Sequence, residues 1–146
     1  MLTLPAYLST DCVGIVHVAS NVSFSTDTAQ VVKDALLGTL NILRTASMGS
    51  PSVKRFVLTS STIAIGMPGG DKELGANDWN DDAVELAEGL SEKDERKGKM
   101  SYASSKVQAE KAAWDYIHQN KFVSLSLSSL RAFFLIMLSL LSFDSK

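Results

Sequence analysis

Two short apolar runs rich in β-branched residues, Val13 to Ala19 and Arg55 to Ser61, bracket a segment with helical periodicity, and that order leaves few folds open. Each run is 4–8 residues of the kind found in strands buried on both faces of a parallel sheet. Between them Thr28 is the expected N-cap, and Val31, Val32, Ala35, Leu36, Leu40, Ile42 and Leu43 recur at helical spacing until Gly49-Ser50-Pro51 ends the pattern. Strand, helix and parallel strand in that order predict a right-handed βαβ unit. With 146 residues the chain can build one domain with a real core but not two ordinary ones.

Residues 66–99 differ in kind. They open on Gly66-Met67-Pro68-Gly69-Gly70 and hold ten of the sixteen acidic residues, with weak periodicity except for a helix expected around Ala83 to Leu90. We read them as a surface excursion leaving the carboxyl end of a strand, which is where open α/β sheets bind ligands. From Ser101 to Asn120 the helical signal returns, with Val107, Ala113, Trp114 and Ile117 on one buried stripe. A further strand is expected from about Phe122, where Val123, Leu125 and Leu127 alternate with serines. The divergent tail, residues 122–146, contains an uninterrupted apolar run from Ala132 to Leu138. A membrane span needs roughly 20 apolar residues. A buried helix or a non-native tail fits this region better, because Arg131 and several serines interrupt it.

Composition removes several function classes. A net charge of −2 without a dense cluster of lysine or arginine argues against a nucleic-acid partner. Cys12 is the only cysteine, so neither an internal disulfide nor a cysteine-based zinc site can form. His17 and His118 lie too far apart in sequence for a metal-ligand motif, and no metal is expected. The N-terminus lacks the basic and apolar regions of a signal peptide, so a reducing, cytoplasmic setting is expected.

Tyr102 and Lys106 carry the chemistry. A spacing of four puts both side chains on one face of the predicted helix, one turn apart. A tyrosine titrates near pH 10 and is a poor acid or base at neutrality. A neighbouring ammonium is expected to lower that value and to suit the pair for proton transfer. Ser61, at the end of the second strand, is positioned to donate a hydrogen bond to a carbonyl oxygen near the same point. Tyr-x-x-x-Lys alone is a weak signal, and an incidental lysine on a solvated helix face matches it equally well. Its context makes it informative: the pair opens a helix, after a long loop that follows a strand ending in Thr59-Ser60-Ser61.

The runs H-V-A-S (17–20), L-L-G-T-L-N-I-L (36–43), R-F-V-L-T-S-S (55–61), Y-A-S-S-K (102–106) and A-E-K-A-A-W (109–114) occur in the order found in one family. From about residue 12 to 121 the chain resembles the extended short-chain dehydrogenase/reductase superfamily, the NAD-dependent epimerase/dehydratase type. Within it, the chain is most similar to the dihydroflavonol-reductase-like and aldehyde- or ketoreductase-like group. The resemblance implies an α/β fold with a partial doubly wound parallel sheet, that is, an incomplete NAD(P)-binding Rossmann domain over residues 1–146. It implies an oxidoreductase that uses NADP, or NAD, to reduce a small-molecule aldehyde or ketone. Tyr102 would be the general acid, and Lys106 would tune it and hydrogen-bond the nicotinamide ribose. Ser61 would hold the substrate oxygen, with Ser60 the alternative if the alignment shifts by one. The backbone at His17, Ala19 and Ser20 would line the adenosine half of the cofactor. The His17 imidazole itself reads as a strand-end group rather than a catalytic one.

The chain departs from the family pattern at both ends. No G-x-x-G-x-x-G turn precedes Val13, and Gly66, Gly69 and Gly70 read as a turn. No proline follows Pro68 to build the loop that covers the nicotinamide. The chain therefore reads as an internal fragment of such a sheet, with a truncated, inactive relative as the alternative to an enzyme. Open sheet edges would give it a tendency to self-associate.

Overall fold

The computed structural model describes residues 13–49, 53–67, 74–75, 77–120 and 126–129. Three strands, β1 (Gly14–His17), β2 (Arg55–Leu58) and β3 (Ser126–Ser129), form a parallel sheet in the order β1-β2-β3. Ile15 pairs with Phe56 and His17 with Leu58, while Phe56 pairs with Leu127 across the other side. Helix α1 (Thr28–Gly49) connects β1 to β2, and α3 (Lys97–Asn120) precedes β3. A short 3-10 turn (Thr62–Ala64) and α2 (Asp81–Gly89) lie between β2 and α3. The expected α/β parallel sheet is present, and both predicted strands of the βαβ unit pair in parallel.

The period of two along each strand decides what the sheet buries. Phe56 and Leu58 point into a core formed with Leu43 and Ala46 of α1 and Ala113 of α3, and Ile15, Trp114 and Ile117 pack around it. Both long helices therefore cover the same face. Valines on the other face are open: Val16 is 63% exposed, and Val13 and Val18 flank it in similar exposure. The expectation that the first strand is buried on both faces is corrected, because no described element lies over that second face. A second core joins Ile63 of the 3-10 turn, Ala83 and Ala87 of α2, and Met100 and Ala103 of α3, with the Tyr102 ring packed against it.

Element boundaries show what propensity alone missed. Asp27, not Thr28, caps α1, since its carboxylate accepts from the Gln30 backbone N–H at 3.0 Å. The Thr28 hydroxyl is recruited instead by tertiary partners, donating to the Ala87 carbonyl and lying 2.7 Å from the Ser101 hydroxyl. Helix α2 begins two residues before the predicted Ala83, because Asn80 caps it by accepting from the Ala83 N–H. Helix α3 begins one turn before the predicted Ser101. Buried Lys97 reaches back from its first turn to the carbonyls of Ala87 and Leu90, satisfying the end of α2. The expected start of the third strand at Phe122, the Pro68-Gly69-Gly70 turn, Cys12 and the Ala132 to Leu138 run lie outside the described residues. Among the described residues, no helix is long and apolar enough to cross a membrane.

Candidate active site

The carboxyl ends of β1 and β2 lie side by side, tied by a hydrogen bond from the Thr59 N–H to the His17 carbonyl at 3.0 Å. Past this tie the chain leaves the sheet, and three consecutive residues take three different partners. The Thr59 carbonyl accepts from the Lys106 ammonium at 3.3 Å. The Ser60 hydroxyl points inward and donates to the Glu110 carboxylate at 2.5 Å. The Ser61 hydroxyl caps the 3-10 turn by accepting from the Ile63 N–H, and it lies near enough to the Tyr102 phenol to influence its titration. The structure thus brings Ser61, Tyr102 and Lys106 together at one sheet end, with Lys106 Nζ 5.7 Å from the centre of the Tyr102 ring.

Local sequence explains how Tyr102 is held. The buried, small residues Ser101, Ala103, Ser104 and Ser105 let α3 approach the neighbouring elements closely, while Tyr102 and Lys106 remain half-buried on the side that faces the end of the sheet. Helix α3 can also pass under the β1–α1 loop because residue 98 is glycine. A Cβ there would come within 2.1 Å of the Phe24 carbonyl oxygen. Phe24 itself has a φ of 52°, which a bulky non-glycine residue rarely adopts. Serial turns brace this conformation, with the Ser23 N–H bonded to the Asn21 side chain and the Ser25 N–H to the Ser23 hydroxyl. The Phe24 ring is thereby held over the site, 5.3 Å from the Tyr102 ring centre.

The electrostatics differ from the sequence expectation in one respect. Burial pushes the Tyr102 phenol above its usual 10.0, and the Ser61 side chain only partly opposes this. The Lys106 ammonium donates to the Thr59 carbonyl. Desolvation holds Lys106 below its usual 10.5, and the negative charge of Glu110 counteracts part of that shift. The His17 imidazole is buried beside the Phe56 ring, and desolvation followed by the Lys106 charge lowers its pKa.

Two cavities lie beside these residues. One, of about 220 Å³, is lined by His17, Ala19, Ser20, Thr59, Ser60 and Lys106, so four of the residues expected to contact a cofactor, His17, Ala19, Ser20 and Lys106, line one cavity, while Tyr102 does not. The other, of about 680 Å³, is lined by Phe24, Thr26, Ile63, Gly98 and Tyr102. Among the described residues no cluster of three or more His, Cys, Asp or Glu side chains could hold a metal ion. Sequence reasoning missed Phe24 and Glu110. Phe24 carried no local signal, since its place depends on the close approach at Gly98. Glu110 did carry one: it stands in helical phase with Ala103, Val107 and Ala113, a charge within an apolar stripe.

The NAD-binding family whose model is described as "Male sterility protein" matches residues 6–125. Aldehyde reductase 2 of Sporidiobolus salmonicolor is 46% identical over 111 residues, covering 74% of this chain and 32% of that protein. The crystal structure of vestitone reductase from alfalfa (Medicago sativa) superposes with a TM-score of 0.65 at 35% identity, over 86% of this chain and 36% of that one. The Gre2–NADPH complex of Candida albicans does so with a TM-score of 0.64 at 32% identity, over 81% and 35%. The chain spans about a third of the length of the relatives it matches. The chain therefore belongs to the extended short-chain dehydrogenase/reductase superfamily, in its NAD-binding male-sterility-protein family.

Proposed function

We propose that this chain carries the proton-transfer centre of an NADPH-dependent reductase of a small aldehyde or ketone, working in a reducing, cytoplasmic setting. The observation that carries the reading is the convergence of Tyr102, Lys106 and the residues that follow β2 at one end of the sheet: Lys106 Nζ lies 5.7 Å from the Tyr102 ring centre and donates to the Thr59 carbonyl, two residues before Ser61. The cavity lined by His17, Ala19, Ser20 and Lys106 suits the cofactor, since it offers backbone, a serine and an ammonium to ribose hydroxyls. NADPH would supply the hydride there, with NADH as the other candidate. The cleft beside Phe24 and Tyr102 then takes the carbonyl substrate.

In this scheme the Ser61 hydroxyl donates a hydrogen bond to the carbonyl oxygen and stabilises the negative charge that develops on it. As the carbonyl carbon accepts the hydride, the Tyr102 phenol gives its proton to the oxygen, leaving an alcohol and a tyrosinate. The raised phenol pKa leaves the proton on Tyr102 at neutral pH, and the alkoxide formed by hydride transfer is a stronger base than tyrosinate, so the transfer runs toward the alcohol. The Lys106 ammonium lies over the ring and stabilises the tyrosinate until solvent restores the proton. Ser60 is a poorer candidate for the substrate-facing serine, because its hydroxyl is buried and committed to Glu110.

A second reading is favoured by one sequence observation. No three glycines among the 146 residues have the G-x-x-G-x-x-G spacing that offers a helix N-terminus to pyrophosphate. On that reading the chain is a catalytically silent relative. Titrating the purified chain into NADPH, followed by cofactor fluorescence and by carbonyl-dependent loss of absorbance, separates the two. Saturable binding with turnover supports the reductase, whereas no binding and no turnover supports the silent relative.

A further inference from the structure

Glu110 is fully buried, yet it sits where α3 otherwise presents Ala103, Val107 and Ala113 to the core. A carboxylate in such a place is costly to desolvate, and an apolar residue of similar volume is commonly as stable or more so. Two donors meet it. The Ser60 hydroxyl lies 2.5 Å from one oxygen, and the Trp114 indole N–H lies 3.4 Å from the other. Ser60 is the residue between Thr59, whose carbonyl holds Lys106, and Ser61, whose hydroxyl meets Tyr102. Along its own helix Glu110 stands four residues from Lys106, which is one turn.

We propose that Glu110 is a positioning residue of the Ser61–Tyr102–Lys106 centre: its buried carboxylate fastens α3 to the end of β2 through Ser60 and sets a negative charge one turn from the Lys106 ammonium. The inference rests on the reductase reading for its purpose, but not for its physics. One carboxylate does two jobs. It fixes the register between the strand end that bears Ser61 and the helix that bears Tyr102. It also opposes the desolvation that draws Lys106 toward its neutral form. The other groups around Lys106 do not replace that charge. They are the Tyr102 ring on the same helix, the Thr59 carbonyl from the end of β2, buried His17 from β1, and Asp34 of α1, which lines the same cavity and is bonded to Asn21 and Gln30.

The test uses the unliganded chain and NMR titrations of Lys106 and Tyr102, with resonances assigned from Lys106→Arg and Tyr102→Phe. Glu110→Gln keeps the shape and an acceptor for Ser60 but removes the charge, so the Lys106 titration should move to lower pH. Ser60→Ala keeps the charge but unfastens the strand end. It should leave Lys106 where it was and move the Tyr102 titration upward, because the Ser61 contact that lowers it is loosened. A purely structural glutamate would lower the melting temperature in both variants and shift neither titration. An unmoved Lys106 in Glu110→Gln overturns the proposal. Should that variant fail to fold, an unmoved Tyr102 in Ser60→Ala overturns it alone. Because neither cofactor nor substrate is present, absence of turnover in the parent chain would count against the reductase reading and leave this result standing.

Discussion

At the scale of single residues, Lys106 and Tyr102 are shifted in opposite directions. Lys106 is held below 10.5 by desolvation, while Tyr102 is pushed above 10.0 by burial. With rising pH, Lys106 therefore loses its charge sooner than a free lysine would, and Tyr102 holds its proton longer than a free tyrosine would. Turnover should fall along an alkaline limb that lies below pH 10.5, and Lys106→Arg should move the limb upward in any variant that retains activity, since a guanidinium keeps its charge. A pH–rate profile checks this, and a limb that ignores the Arg substitution would assign it to another group. His17 gives the complementary acid-side effect. Its folded pKa lies below the usual 6.5, so the unfolded chain takes up a proton first as pH falls below that value, and stability should decline there. Urea melts at pH 7 and pH 5 should differ less for His17→Gln than for the parent chain. The sequence made Tyr102, Lys106 and Ser61 legible, because their spacing and their place after a strand reflect chemistry. The sense of the Tyr102 shift was not legible, because it depends on how far the fold buries the phenol.

At the scale of elements, strands and long helices were readable from periodicity, and their ends were not. The boundaries are set by side chains that reach across the fold. Thr28 looked like a cap but serves Ala87 and Ser101, and Lys97 extends α3 by a turn because it closes the end of α2. Asn80 has the most local leverage of these. Its side chain donates to the Ile63 carbonyl at 2.8 Å and accepts from the Ala83 N–H, joining α2 to the turn that Ser61 caps. Asn80→Ala should cost about 2 kcal/mol, combining the loss of a cap with an orphaned buried carbonyl. Hydrogen exchange at residues 62–64 should quicken by more than at β2, and uniform protection across both would contradict the assignment. Gly98 makes the opposite kind of point. Alanine is the better helix former by about 1 kcal/mol. Its Cβ would nevertheless meet the Phe24 carbonyl at 2.1 Å, so Gly98→Ala should destabilise by about 1–3 kcal/mol in urea melts.

At the scale of the whole molecule, the described sheet is three strands wide and covered by helices on one face, with β1 and β3 as its edges. The continuous apolar run of β1 read as a strand buried on both faces, yet no described element lies over one of them, since a strand's own sequence does not say which element covers it. An exposed Val16 beside strands that are edges among the described residues is expected to favour self-association. Light scattering should show mass rising with protein concentration, and Val16→Lys should reduce that rise without changing the melting temperature, because Val16 points away from the helix-covered core. The central claim is the proton donor, and it has a direct measurement: NADPH-linked reduction of a small aldehyde by the chain and by its Tyr102→Phe variant, compared at neutral pH. The account predicts that the variant keeps its cofactor affinity and loses turnover by about 10²-fold or more, whereas a variant that keeps its rate, or a parent chain that never turns over, would contradict it.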